Sequence, residues 1–324
     1  MEQTQENTQT NPVINSNNLR SGFTENNYVL HRRFDRMGRL VGDDVMKKLF
    51  GTHVMILGLG GVGSWAAESI ARSGVGKITI VDFDEICITN ANRQLHALQG
   101  LVGQKKAVVM AERLKKINPQ ADITAISKFY DKNTSDEILS SNPDYIMDAI
   151  DNLTAKSFLI NECKNKNIKV ITSTGASARI DPTKIKIADL AHTQIDPLAH
   201  ALRKILRQEY GFPQGQNKSN NKKDKVFDIQ CVYSNEQPMA PVDLKYDNGE
   251  GFKCVCPQGE IDPHSCLHRS VIYGTASFVT GAFGLTMASW VVQNVMQSVS
   301  QNTVAQSTVT QSTTQSTVTQ KEMV

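Results

Sequence analysis

The chain has little net charge, no C-x-x-C pair and no apolar run near its start. Its 35 Lys and Arg offset 32 Asp and Glu to a net +3 over 324 residues. No global field then compels a nucleic-acid partner, and local charge must carry that argument. The opening MEQTQENTQTNPVINSNNLR is polar and lacks the h-region of a secretory signal. Six cysteines, Cys87, Cys163, Cys231, Cys254, Cys256 and Cys266, are scattered. A reduced, cytoplasmic compartment without disulfides is the simpler expectation. The nearest approach to a metal cluster is Cys254-x-Cys256 with His264, Cys266 and His268, whose spacing fits no standard zinc pattern.

What is present is an ordinary globular composition, 40% hydrophobic and 21% charged, in a chain long enough for one large domain or two ordinary ones. Residues 1–27 are rich in Asn, Gln and Thr and read as a disordered leader. Residues 28–180 alternate short β-branched runs (HVMIL, KITIVD, ADITAIS, DYIMDAID, KVITSTG) with helical patterns. In GQKKAVVMAERLKKINP, Ala107, Met110, Ala111 and Leu114 share one helical face. This rhythm predicts an α/β fold: a Rossmann-like parallel sheet with helices on both faces. Residues 181–298 change rhythm and are expected to form a substrate and dimer region of the same domain. It has added strands (KIKIADLA, VFDIQCVYS), an amphipathic helix (PLAHALRKILRQEYG) and a final apolar helix. That last stretch, 271–298, carries no charge and is long enough for a bilayer. Its Ser, Thr, Gly, Asn and Gln content favours burial in the fold or an interface over membrane association. Residues 299–324 repeat Gln, Ser, Thr and Val and read as a low-complexity tail.

The first strand runs into GLGGVG, placing Gly58, Gly60, Gly61 and Gly63 between a strand and a helix. Glycines let backbone approach a phosphate, and the helix N-terminus offers free N–H groups. A tight turn without ligand has the same pattern. Asp82, 19 residues after Gly63, ends the second strand and can accept from ribose hydroxyls; Asp84 can do the same or cap the following turn. NAD and ATP both fit so far. The stretch DFDEICITNANRQLHALQGLVGQKKA adds Asn90, Arg93, Gln94, Lys105 and Lys106. Phosphoryl and adenylyl transfer need such cations, whereas hydride transfer does not. Arg93 can fork two phosphate oxygens and Lys106 acts as a point charge, although an isolated cation is usually a solvated one. MDAIDN ends a further strand with Asp148, Asp151 and Asn152, expected to face the ligand crevice. Asp151 suits Mg2+ held against a triphosphate, and Asp151 or Asn152 can equally cap the next helix.

Taken together, GLGGVG, DFD, N-x-x-R-Q, G-x-x-K and DAIDN resemble the superfamily of ubiquitin-activating-like enzymes. That superfamily includes the bacterial activators of molybdopterin and thiamine sulfur-carrier proteins. Within it, VMAERLKKINP and DPTKIKIADLAHTQIDPLAHALR are similar to a branch of tRNA-modifying dehydratases, and the likeness spans roughly residues 29–298. The resemblance implies ATP-dependent formation of an acyl-adenylate, with Mg2+. It implies that Gly60 and Gly61 pass close to the phosphates and that Asp82 holds the ribose. Asn90, Arg93 and Lys106 would contact phosphates, and Asp151 would serve the metal or triphosphate. It also implies a homodimer in which Arg36, in RRFDRMGRL, reaches the partner's site. For the tRNA branch the substrate is tRNA, with a cysteine desulfurase or sulfur acceptor as a further partner. The sulfur-carrier activators usually hold zinc on two C-x-x-C pairs, a feature missing here.

Cys231 falls where related activators carry a mobile thiol segment; a persulfide role competes with a plain buried strand cysteine, which is favoured. Cys87 and Cys163 read as core. Arg203, Lys204, Arg207, Lys218, Lys222, Lys223 and Lys225 form a basic run that can meet RNA phosphates or simply solubilise a loop. Activation of a small sulfur-carrier protein, a nicotinamide-dependent oxidoreductase and a non-catalytic sulfur-relay scaffold stay open as alternatives.

Overall fold

The computed structural model describes residues 29–214, 226–242, 244 and 273–321, with 302–321 as backbone alone. Two short helices, α1 (Asp35–Val41) and α2 (Asp43–Gly51), precede a regular alternation of strand and helix. It runs β1 (His53–Leu57), α3 (Gly63–Arg72), β2 (Lys77–Val81), α4 (Lys106–Ile117), β3 (Asp122–Ile126), α5 (Ser135–Leu139), β4 (Tyr145–Asp148), α6 (Leu153–Asn165) and β5 (Lys169–Ser173). Then come β6 (Ile185–Asp189), α7 (Pro197–Glu209), β7 (Gln230–Ser234) and α8 (Ser277–Lys321). The seven strands form one sheet in the order β3-β2-β1-β4-β5-β7-β6. Every pairing is parallel except β6 with β7. The reversal of strand order around β1 and β4 creates the switch point at which open α/β sheets bind ligands, beyond the strands' carboxyl ends.

The expected strands and helices of the first half form where their apolar runs stand. β1 is buried along its whole length, as a central parallel strand must be. The added strands do not form a separate layer: β7 pairs parallel with β5 and carries β6 outside it.

The apolar segment 271–298 is a packed helix from Ser277 onward. Val279, Phe283, Met287, Val291 and Val295 are fully buried at steps of four, so one face of α8 enters the core beside α3. The approach needs Gly284, where a Cβ would stand 2.4 Å from the Val62 carbonyl oxygen and 2.7 Å from the Ala66 nitrogen. Among the described residues no helix is long and apolar enough to cross a membrane. Through the low-complexity residues 299–321, α8 continues as helix to Lys321. No Gly or Pro interrupts the chain from Leu285 onward, so nothing there forces a stop.

Candidate active site

The glycine loop closes on itself. Gly58 sits at φ +86°, a region only glycine adopts freely, and a Cβ there would lie 2.7 Å from the Ala149 carbonyl oxygen. At Gly63 a Cβ would fall 1.8 Å from the Gly58 oxygen, so α3 can start only on a glycine. Gly60 faces open space, and Gly61 lies between the Arg93 side chain and Thr280 of α8. At Gly60 the backbone is therefore open where a phosphate would come.

Asp82 holds the loop to the end of β2. Its buried carboxylate accepts from the Leu59 N–H at 2.6 Å and from the Asp84 N–H at 2.9 Å. Asp84 neither caps a turn nor stands alone: its Oδ2 pairs with Lys106 Nζ at 2.6 Å. Lys106 opens α4 and its side chain is only 6% exposed, so it is no solvated surface charge. Burial pushes its ammonium down, but Asp82 and Asp84, with Asp151 also in electrostatic reach, outweigh that and raise it. Lys106 thus pairs with Asp84, and its charged form is favoured with Asp82 and Asp151 in electrostatic reach. Its field reaches buried His96, which burial first, then Lys106 and Arg113, hold neutral at about 3.

Arg93 is positioned by its backbone. Its carbonyl accepts from the Trp65 indole at 3.1 Å, and its guanidinium donates to the Thr89 carbonyl at 2.9 Å. Asn90 is buried, and its Oδ1 accepts from the Cys87 N–H at 3.1 Å, closing the 3-10 turn (Ile88–Asn90) before Arg93. Asp151 is exposed just past β4. Its neighbour Asn152 is the helix cap, accepting from the Ala155 N–H at 3.0 Å. Asp148, expected to face the crevice, does not. It is fully buried, paired with Lys156 at 2.8 Å and bonded by the Thr172 hydroxyl at 2.7 Å. It ends the strand on the side covered by α6, whereas Asp151 lies beyond the strand in open loop. Among the described residues no group of three His, Cys, Asp or Glu is arranged to hold a metal.

Beside Asp151 opens a cleft of about 480 Å³ lined by Phe129, Asn152, Ala155 and Phe158 among others. Phe129 stacks edge-on with Phe83 at 5.0 Å, and Phe83 separates Asp82 from Asp84. The Phe129–Phe83 contact thus brings this cleft, which Asp131, Lys132, Asn133 and Thr154 also line, next to the acids at the end of β2. Sequence reasoning missed Phe129, Phe158 and Thr280: aromatics carry no base-binding spacing, and Thr280 arrives from a helix more than two hundred residues downstream of the loop.

The family model described as ThiF family matches residues 34–323. The chain belongs to the ThiF family. A curated ThiF-type relative, tRNA threonylcarbamoyladenosine dehydratase of Haemophilus influenzae, is 38% identical over 83% of this chain and 95% of its own. The Bacillus subtilis protein of that name is 35% identical over 84% of this chain and 97% of its own. Among solved structures, Escherichia coli tRNA N6-threonylcarbamoyladenosine dehydratase in complex with ATP matches with a TM-score of 0.69. It is 34% identical and covers 83% of this chain and 96% of that one.

Other expected residues land elsewhere. Arg36 is exposed on α1. Cys231 is fully buried in β7 and burial pushes its thiol far up, the setting of an unreactive cysteine. Cys87 and Cys163 are buried as expected. In the basic run, Arg203 donates to the Thr193 carbonyl at 3.0 Å. Arg207 donates to the Pro213 carbonyl at 3.2 Å and stacks on Phe227 at 5.1 Å. Both are engaged by the fold rather than offered to RNA, because the amphipathic α7 turns them onto the adjoining loops. Lys204 stays exposed. Lys218, Lys222, Lys223 and Lys225, and the Cys254, Cys256, His264, Cys266 and His268 group, lie outside the described residues.

Proposed function

We propose that this chain converts threonylcarbamoyladenosine beside the tRNA anticodon to its cyclic form at the expense of ATP. The observation that carries the reading is the buried, charged Lys106 set among Asp82, Asp84 and Asp151 at the mouth of the glycine loop. It is supported by the close likeness to an ATP-bound dehydratase. ATP lies across the ends of β2, β1 and β4, with its base in the Phe129–Phe158 cleft, its ribose toward Asp82, and its phosphates over Gly60 and Gly61 beside Arg93 and Asn90. The threonine carboxylate attacks the α-phosphate. An acyl–O–P bond forms and the bond to pyrophosphate breaks. The neighbouring carbamoyl group then closes on the activated carbonyl and expels AMP, so one carboxylate oxygen leaves with AMP. Lys106 and Arg93 stabilise the charge that builds on the phosphates, and ring closure gains from being intramolecular. Mg2+, when bound, would neutralise phosphate charge, and Asp151 is the residue that would hold it.

The reading includes a homodimer in which exposed Arg36 serves the partner's site, a cytoplasmic location and an optional sulfur-acceptor partner. Activation of a small sulfur-carrier protein is the weaker alternative. The test incubates purified chain with ATP and modified tRNA. AMP, pyrophosphate and a nucleoside lighter by one water are expected. ATP cleavage that leaves the nucleoside unchanged refutes the reading.

A further inference from the structure

One strongly charged group near the sheet's carboxyl edge is left short of partners. Arg179 is buried, with only 4% of its surface exposed, yet its Nε has no hydrogen bond. Among the described residues its one ion pair, to Asp196, is stretched to 3.8 Å. Asp196 is already committed: it accepts from the Ala199 N–H at 2.8 Å as the cap of α7 and from the Gly175 N–H at 3.1 Å. A buried guanidinium nitrogen left unbonded among the described residues is costly, and native structures rarely leave one so without use. The cost shows in its ionisation: burial pulls Arg179 down more than Asp196 and Glu236 raise it.

Backbone strain converges on the same pair. Ala178, just before Arg179, has φ +59°, and Ile195, just before Asp196, has φ +64°. A β-branched residue in that region is a genuine outlier, and such strain concentrates at sites of function.

The location is informative. Gly175 lies two residues past β5, so Asp196 and Arg179 stand at the carboxyl end of the strand beside β4. The segment Gly274–Thr275 links this corner to the Arg93 turn. Ala178 N–H donates to the Gly274 carbonyl at 2.8 Å, and the Asn92 amide donates to the Thr275 carbonyl at 2.8 Å. A nucleotide over β2, β1 and β4 leaves β5 as the side from which an acid can approach the α-phosphate.

We infer that Arg179 is the residue that receives the carboxylate of the acid substrate and aims it at the α-phosphate. The inference rests on the proposed reaction, and the experiment separates the two. Binding of tRNA carrying the acid-bearing adenosine is compared with binding of the same tRNA unmodified, for wild type, Arg179→Gln and Arg179→Lys. Nucleotide affinity and melting temperature are measured alongside. Wild type should prefer the acid-bearing tRNA by about tenfold or more, the worth of a charge-assisted contact. Arg179→Gln should lose that preference while holding nucleotide as wild type does, and Arg179→Lys, which keeps the charge and loses the fork, should fall between. If Arg179→Gln fails to fold, the lysine variant decides: an unchanged preference overturns the inference. It is equally overturned if Arg179→Gln discriminates like wild type, or if it weakens both tRNAs alike. Failure of the wild-type conversion itself would count against the proposed reaction instead.

Discussion

Lys156→Met offers a direct test of what stands beneath the nucleotide edge of the sheet. Lys156 and Asp148 are both fully buried and meet at 2.8 Å. Removing one partner from such a pair leaves an uncompensated buried charge and costs about 3–5 kcal/mol. Asp148 keeps two other donors, the Thr172 hydroxyl at 2.7 Å and the Ile150 N–H at 3.1 Å, so the lower end is expected. About 3 kcal/mol corresponds to a fall in Tm of about 6–12 °C for a domain near this size. Adding Asp148→Asn to Lys156→Met removes the stranded charge and should recover much of the loss. Differential scanning calorimetry on the two variants measures both effects. If Lys156→Met melts within about 1 °C of wild type, a figure set against the same scaling, the buried pair does not hold this corner as argued.

Three further outcomes follow from the same geometry. Lys106→Met should lower ATP-dependent turnover about 100- to 1,000-fold, the loss seen when a preorganised charge stabiliser is removed; steady-state AMP release measures it. Gly284→Val should press α8 away from α3 against the Val62 and Ala66 backbone, costing about 1–3 kcal/mol. Because Thr280 then shifts beside Gly61, calorimetric ATP binding should weaken as well. Glu68, bonded by Arg113 at 2.5 Å and Arg72 at 2.7 Å, ties α3 to α4. Burial pushes its carboxyl up, but the two arginines outweigh that and lower it. A lowered folded value means stability that is present above the unfolded range near about 4.3 and lost as pH falls through the folded value. Denaturant midpoints should therefore show wild type ahead of Glu68→Gln at neutral pH, with the gap closing in acid.

The parallel half of the fold was legible because buried parallel strands are unbroken apolar runs, as HVMIL and KITIVD are. The glycine loop was legible because close backbone approach admits no other residue. What the sequence could not reveal depends on partners far along the chain. KIKIADLA reads as a strand, but only packing decides that it runs antiparallel outside β7. Asp148 and Asp151 stand three residues apart in one motif, and only the position of α6 shows that the first is sealed against Lys156 while the second stays open. Arg203 and Arg207 look like free cations until α7 turns them onto Thr193, Pro213 and Phe227. Thr280, Phe129 and Phe158 reach the site by tertiary placement alone, which no local spacing encodes.

The central claim is that a carboxylate on tRNA is activated by bond formation to the α-phosphate. Heavy oxygen placed in that carboxylate follows the bond directly, and mass spectrometry of the released nucleotide reads it. The account predicts the label in AMP, in proportion to cyclised product, and accumulating about 100- to 1,000-fold more slowly with Lys106→Met. Unlabelled AMP alongside labelled pyrophosphate, or cyclisation without ATP, would contradict it.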